Sequence, residues 1–234
     1  MEHQNEVKVW DLFVRFFHWS LVVLFASAYL TGGEDLPKWL VSMLGMGDEP
    51  PLHMWFGYGI ATLVVLRVVW GFVGTAHARF ADFVFDRATI IGYAKDLLSG
   101  SAKRYIGHNP LGGAMVVTLL VSLGLTTFTG MLYYGLDEGR GPFGGLKAQE
   151  VSVAMPSISL ISNAYADSDD EAAGHDQKVQ GEEEDEDELL KEIHEFFANF
   201  TLFLVFLHLG GVVFESRFHK ENLALAMVTG RKRQ

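Results

Sequence analysis

Four histidines lie inside, or at the start of, apolar stretches, where an ionisable side chain is costly and therefore a functional candidate. They are His18, His53, His194 and His208. Imidazole nitrogens bind metals and metal cofactors and also transfer protons. His194 and His208 are 14 residues apart, so a helix rising about 1.5 Å per residue separates them by roughly 21 Å on nearly one face. This spacing suits two stacked cofactors better than one metal ion.

The elements that carry these histidines are four apolar stretches, each close to the roughly 20 residues that a helix needs to cross a bilayer. They run over residues 13–30, 52–73, 111–134 and 193–214. The third contains no charged residue. The helical core of a soluble protein rarely has so long a stretch without charge. Pro51 and Pro110 indicate helix starts before the second and third stretches. The sequence therefore predicts an all-α integral membrane protein, a four-helix transmembrane bundle.

The basic residues indicate the orientation of these helices, because Lys and Arg concentrate in cytoplasmic segments. Of the 18 bases, 12 lie at the start of the first span, between the second and third spans, or after the fourth. Both termini are therefore predicted to be cytoplasmic. Residues 1–136 then carry the first three helices, 137–190 form a long acidic periplasmic loop, and 191–234 carry the fourth helix and a cytoplasmic tail.

In this orientation the four histidines fall at two depths. The first helix rises from the cytoplasm, which places His18 in the inner leaflet with His208. The second helix descends from outside, which places His53 in the outer leaflet with His194. Each pair supplies two axial nitrogens, as a six-coordinate b-type haem requires. The sequence thus predicts an inner haem b held by His18 and His208 and an outer haem b held by His53 and His194.

Three further residues fall near the depth of the inner pair. Arg67 and Arg15 are predicted to bind the haem propionates, because arginine binds carboxylates through two parallel hydrogen bonds. Arg15 has an alternative role at lipid headgroups. His108 is an alternative inner ligand to His18, although it precedes an Asn-Pro pair that is typical of a capping turn.

Composition excludes several other kinds of site. Without cysteine the chain has no disulfide, thiolate metal site, iron–sulfur cluster or covalently attached c-type haem. The net charge of −11 resides in residues 167–188, which hold 12 acids and one Lys, and the rest of the chain balances. The chain as a whole has no excess of basic residues, so its charge does not indicate binding to nucleic acid. Residues 166–188 are predicted to be disordered. The acids of this acidic insert are predicted to steer a basic periplasmic electron carrier, such as a c-type cytochrome, and cation buffering or a solvating linker stays open as an alternative.

Several strings around these candidate residues match a known pattern. They are Val9-Trp10-Asp11, Arg15-Phe16-Phe17-His18-Trp19, His53 with Gly57, Arg67-Val68-Val69-Trp70-Gly71-Phe72, His77-Ala78-Arg79-Phe80, Arg104-Tyr105-Ile106-Gly107-His108-Asn109-Pro110-Leu111-Gly112, His194-Glu195, His208, Asn222-Leu223 and Ala226-Met227-Val228-Thr229-Gly230. On these strings the chain resembles the bacterial cytochrome b561 and nickel–iron hydrogenase b-type cytochrome group. The resemblance covers nearly all of the chain except residues 137–188.

The resemblance implies a membrane cytochrome with two b haems that exchanges electrons between the quinone pool and a partner redox protein, and it agrees with the four histidines as ligands. The acidic insert departs from the pattern of this group. The resemblance therefore does not identify the redox partner of this chain. Two alternatives stay open: a superoxide:quinone oxidoreductase, and a haem-free membrane transporter that uses histidines for metal or protons. An electron-transfer protein is favoured over a stand-alone enzyme.

Overall fold

The computed structural model describes residues 6–32, 52–146 and 172–233, and for residues 172–187 it describes the backbone alone. The elements, in chain order, are β1 (Glu6–Lys8), α1 (Leu12–Thr31), α2 (Leu52–Val73), a 3-10 turn (Ala76–Ala78), α3 (Phe80–Phe83), α4 (Arg87–Leu98), α5 (Pro110–Glu138), α6 (Ala172–Phe218), α7 (Leu223–Thr229) and β2 (Arg231–Arg233). Helices therefore make up nearly all of the regular structure in these ranges.

Four of the helices are long and apolar enough to cross a membrane. They are α1, α2, α5 and the part of α6 from Glu188 to Phe218, with 20, 22, 29 and 31 residues. Their outward side chains are apolar, and Val23, Phe72 and Phe206 are each more than 60% exposed. An apolar exterior of this extent indicates contact with lipid rather than with water. The predicted all-α membrane fold with four spanning helices is confirmed.

The first of two compact units comprises residues 1–124 and 198–234. Its core has two clusters within the membrane spans: Ala28, Ile60, Val64 and Leu123 in one, and Phe17, Leu63 and Leu120 in the other. Both clusters join α1, α2 and the first half of α5. Because lipid tails are as apolar as leucine, such contacts stabilise the bundle by close packing rather than by the hydrophobic effect.

Asp11 fixes the start of α1 and ties it to the end of α2. Its Oδ1 accepts a hydrogen bond from the backbone N–H of Val14 at 2.8 Å, which is an N-cap. Its Oδ2 accepts from Trp70 Nε1 at 2.9 Å and from Thr75 Oγ1 at 2.6 Å. Burial alone raises the pKa of Asp11, but these hydrogen bonds outweigh burial and lower the pKa below its usual value. The carboxylate is therefore ionised and fully engaged.

A two-stranded ribbon joins the two ends of the described chain. β1 pairs antiparallel with β2, so that Val7 lies opposite Lys232. Gly230 has φ of 79°, a left-handed conformation that ends α7 and turns the chain into β2. The carbonyl oxygen of Gly230 also accepts from the backbone N–H groups of Val9 and Trp10, at 2.9 and 3.2 Å. The ribbon thus continues into the turn before α1.

The second compact unit comprises residues 125–197. After α5 the chain turns through Gly139 and Gly141, whose φ values of 65° and 75° favour glycine. We predicted a disordered tract over residues 166–188, but the backbone is helical from Ala172 onward; residues 166–171 lie outside the described ranges. Residues 172–188 contain no proline and are rich in Glu, which is a good helix former, so a charged tract is compatible with helix.

Candidate functional site

The structure brings His18 of α1 and His208 of α6 face to face. Their ring centroids lie 6.5 Å apart, and their planes are inclined by 57°. Nitrogen–metal bonds of about 2 Å on each side would separate two such rings by roughly 6 Å, so the gap matches one metal between two imidazoles. Nδ1 of His18 is buried and has no hydrogen-bond partner among the described residues. The sequence predicted this pair from helix direction and rise alone.

Arg67 lies inside the bundle and is 3% exposed. Its guanidinium carbon lies 5.7 Å from the ring centroids of both Phe80 and Phe83, so aromatic faces surround part of the charge. Its Nη1 is buried and has no hydrogen-bond partner among the described residues. An unsatisfied buried donor of this kind costs about 1–3 kcal/mol, and more when it is charged. The arrangement therefore fits an anionic ligand, which agrees with the predicted role of Arg67 at a haem propionate.

His108 occupies the turn before α5, between two aromatic rings. Its ring centroid lies 4.6 Å from that of Trp10 and 4.7 Å from that of Phe83. The ring is half-buried overall, while its Nδ1 is fully buried and has no partner within the described residues. His208 has its ring contact with His18 and not with His108. The geometry therefore favours His18 over His108 as the imidazole opposite His208.

Arg15 has a contact that sequence reasoning missed. Its Nη1 donates to the carbonyl oxygen of Val228 at 2.6 Å, which ties α1 to α7. A Cβ at Gly230 would lie 3.3 Å from Nε of Arg15, so the glycine leaves room for the guanidinium. Nε is buried and has no partner in the part of the chain that is described. In the sequence, Arg15 was notable as a charge at the start of a membrane span, where burial of a charge is costly. That position does not indicate which group accepts its hydrogen bond.

His53, in the first turn of α2, is held by α1. Its Nδ1 lies 2.9 Å from the carbonyl oxygen of Ala28. Because a carbonyl only accepts, Nδ1 carries the proton and Nε2 is the basic nitrogen, the tautomer of a metal-ligating histidine. The ring also rests on Gly32, where an added Cβ would lie 2.9 Å from Cε1 of His53.

His194, in α6, has the same local arrangement within the second unit. Its Nδ1 lies 2.9 Å from the carbonyl oxygen of Thr126 and 3.4 Å from Oγ1 of Thr129. The carbonyl again places the proton on Nδ1 and leaves Nε2 as the basic nitrogen. A Cβ at Gly130 would lie 2.8 Å from Cε1 of the ring. Both predicted outer ligands are therefore held, each in its own unit, in the tautomer that binds a metal through Nε2.

A carboxylate at the end of α6 was also missed from the sequence. Oε1 of Glu215 accepts from Tyr93 Oη and Asn109 Nδ2, both at 2.9 Å, and lies 3.2 Å from Nε2 of His219. Burial, and then Glu215, raise the pKa of Tyr93 above its ordinary value. The spacing of Glu215 and His219, four residues apart at the end of α6, was a local signal in the sequence. The network joins α4, the residue before α5 and the end of α6.

The donor set indicates which kind of ligand fits. Within the described ranges no group of three or more His, Cys, Asp or Glu side chains comes together to hold a metal ion by itself. A haem brings its own in-plane nitrogens and needs only axial ligands from the protein. The facing His18 and His208, with an unpartnered Arg67 donor in the same unit, fit that requirement.

The fold and these side chains define a multi-pass membrane protein with paired histidines in its spans. The family model for prokaryotic cytochrome b561 matches residues 9–230, so the chain belongs to the prokaryotic cytochrome b561 family. The resemblance found in the sequence is confirmed, and membership implies haem b as cofactor. No solved structure matches the chain.

The chain is also similar to proteins named "Probable Ni/Fe-hydrogenase B-type cytochrome subunit". The one from Azotobacter vinelandii is 32% identical over 160 residues, which is 58% of this chain and 63% of the relative. The one from Rhizobium leguminosarum bv. viciae is 29% identical over 152 residues, again 58% of this chain and 63% of the relative. The chain thus aligns with less than two thirds of the length of these relatives.

Proposed function

We propose that this chain is a di-haem b-type membrane cytochrome that transfers electrons between the quinone pool and a periplasmic redox partner. The observation that carries the proposal is the 6.5 Å separation of the His18 and His208 rings, which leaves room for one haem iron between them. Family membership supports haem b, and the relatives named as hydrogenase subunits support a redox protein as partner.

The inner haem is assigned to His18 and His208, and the outer haem to His53 and His194. The outer assignment rests on the depths predicted from the sequence and on the tautomer that each ring adopts in its own unit. Haem b, when bound, accepts and releases one electron at its iron. The two imidazoles of each pair would hold one haem, and a haem held by two imidazoles would transfer electrons rather than bind oxygen or a substrate.

The orientation completes the proposal. The distribution of bases supports cytoplasmic termini, with the acidic residues 167–188 on the opposite, periplasmic side of a bacterial inner membrane. Because these acids precede His194 in the sequence, their dense negative charge would steer a basic electron carrier toward the outer side and raise its association rate. Haems held by the two histidine pairs would let the chain transfer electrons between a membrane quinone and that carrier.

The test is a haem-to-protein ratio measured on the purified protein together with a redox titration. We expect two haems per chain and two one-electron steps with low-spin b-type spectra. A colourless protein from haem-replete cells would contradict the proposal and favour a haem-free transporter. One haem per chain would contradict the di-haem assignment. Quinone reduction that depends on superoxide would favour the superoxide:quinone oxidoreductase instead.

A further inference from the structure

Two buried hydrogen-bond donors contact the same aromatic ring, and both lack an acceptor. The guanidinium carbon of Arg67 lies 5.7 Å from the ring centroid of Phe83, and the ring centroid of His108 lies 4.7 Å from it. Phe83 is 0% exposed, so both groups contact a ring in the interior of the protein. Nη1 of Arg67 and Nδ1 of His108 have no partner among the residues that the structure describes.

The carboxylate whose charge acts on Arg67 is already engaged by other donors. This carboxylate is that of Asp11. Its Oδ1 accepts from the N–H of Val14, and its Oδ2 accepts from Trp70 and Thr75. Three donors therefore already occupy this carboxylate, and Nη1 of Arg67 has no hydrogen bond to it. A bound carboxylate ligand would supply an acceptor for both Arg67 and His108.

The charges around His108 indicate what this ligand is. Burial, and then the positive charges of Arg67 and Lys232, lower the pKa of His108 to about 3, and His77 and His208 act in the same direction. His108 is therefore a neutral donor, and Arg67 supplies the positive charge. A single carboxylate matches both, because its two oxygens accept from both groups and its charge neutralises the guanidinium.

The same region adjoins the facing histidine pair. Phe17, next to His18, packs in one cluster with Leu63, which lies one helical turn before Arg67. Phe80, over which the Arg67 guanidinium lies, packs against that cluster. His108 lies against Phe83, whose ring is 5.6 Å from that of Phe80. The two donors are therefore at the end of the bundle where the inner haem is assigned.

We propose that His108 and Arg67 bind one and the same carboxylate, a propionate of the haem held by His18 and His208. The proposal rests on the haem-binding function proposed above, and it makes His108 a positioning residue rather than an axial ligand. Removing a donor leaves the propionate more negative, which stabilises the oxidised iron relative to the reduced iron. The potential of the inner haem should therefore fall, while that of the outer haem stays unchanged.

The experiment is a redox titration of the holoprotein with a matched set of variants. His108→Phe keeps a ring between Trp10 and Phe83 and removes the donor, whereas His108→Gln keeps an N–H donor. We expect His108→Phe to change the reduction equilibrium of one haem by about tenfold, which is about 59 mV for one electron. His108→Gln should remain near the wild-type potential. Arg67→Met should lower the same potential.

A double variant and a modified haem then test the shared carboxylate. If both residues bind one propionate, the shifts of His108→Phe and Arg67→Met are not additive. Reconstitution with haem dimethyl ester, which lacks free carboxylates, should abolish the difference between His108→Phe and wild type. Additive shifts, a shift that persists with the ester, or unchanged potentials in His108→Phe would each overturn the proposal.

Loss of the haem itself is also informative. If His108→Phe loses one haem and His108→Gln retains both, a positioning role is supported. If both variants lose one haem, His108 is an axial ligand and the proposal is wrong. A wild-type protein without haem would instead refute the proposed function, so the two failures are distinguishable.

Discussion

The imidazole of His194 rests against Gly130, where a methyl group would lie 2.8 Å from its Cε1 atom. The ring cannot move aside freely, because its Nδ1 is held by the carbonyl oxygen of Thr126 at 2.9 Å. Real Cβ atoms essentially never approach this closely, so a side chain at position 130 has to displace the ring. The absence of a side chain at Gly130 therefore allows His194 to keep its orientation.

Gly130→Ala should lower the haem content by about one haem per chain, because a displaced His194 no longer presents Nε2 to the outer haem. The measurement is the haem-to-protein ratio with the reduced spectrum. Gly124→Ala is the control on the same helix, since a Cβ there meets nothing within 4 Å. Equal haem content in both variants would show that the ring has room to adjust.

His208→Ala should remove the inner haem and leave about one haem per chain. The reason is that the ring of His208 lies 6.5 Å from that of His18. Within the described residues, no other histidine ring contacts that of His208. Haem content and redox titration check the result. Retention of both haems with unchanged spectra would make the pairing wrong, and His108→Ala would be the next variant to measure.

Asp11→Asn should destabilise the protein, because an amide nitrogen cannot accept from Trp70 or Thr75. Loss of these buried hydrogen bonds costs about 1–3 kcal/mol. The pKa of Asp11 is lowered in the folded protein, so its contribution is present at neutral pH and is lost as the pH falls through that lowered pKa. The Tm difference from wild type, measured in detergent, should therefore be largest at neutral pH and shrink in acid.

The matched control is Asp86→Asn, which alters the exposed N-cap of α4 at Thr89. Its effect on Tm should be clearly smaller than that of Asp11→Asn, because water replaces the lost contacts. A pH-independent Tm difference for Asp11→Asn would contradict the role of the ionised carboxylate.

Neutralising the acidic insert should slow electron exchange with a basic periplasmic carrier at low salt. Replacement of the 12 acids in residues 167–188 by their amides keeps the length of the chain and removes the steering charge. The rate difference should disappear at high salt, because the Debye length falls from about 10 Å at 0.1 M to about 3 Å at 1 M. Both haem spectra should stay as they are. Equal rates at low ionic strength would reduce the insert to a spacer.

The sequence predicted the four spans well, because each is a long apolar run whose length is set by the thickness of a bilayer. The second span, predicted over residues 52–73, has those bounds in the structure. The facing of His18 and His208 was also predictable, since helix rise and direction determine depth along a span. The span lengths depend on each helix alone, and the depths of the histidines depend only on each helix's direction across the membrane.

Contacts between segments far apart in sequence were not predictable. Arg15 donates to Val228, and Asp11 accepts from Trp70 and Thr75, although no local pattern relates these residues. Such bonds depend on where the chain returns after crossing the membrane. The helical backbone from Ala172 was missed for another reason, since high charge density lowers burial but does not prevent helix formation by glutamate.

The antiparallel ribbon of β1 and β2 has a consequence for biogenesis. Glu6–Lys8 is synthesised early, and its partner Arg231–Arg233 follows more than 200 residues later, after the last residue of every spanning helix. Closing so long a loop is slow relative to local helix formation. The ribbon therefore forms last, and a C-terminal fusion that blocks Lys232 from pairing with Val7 would stall maturation after insertion rather than before it.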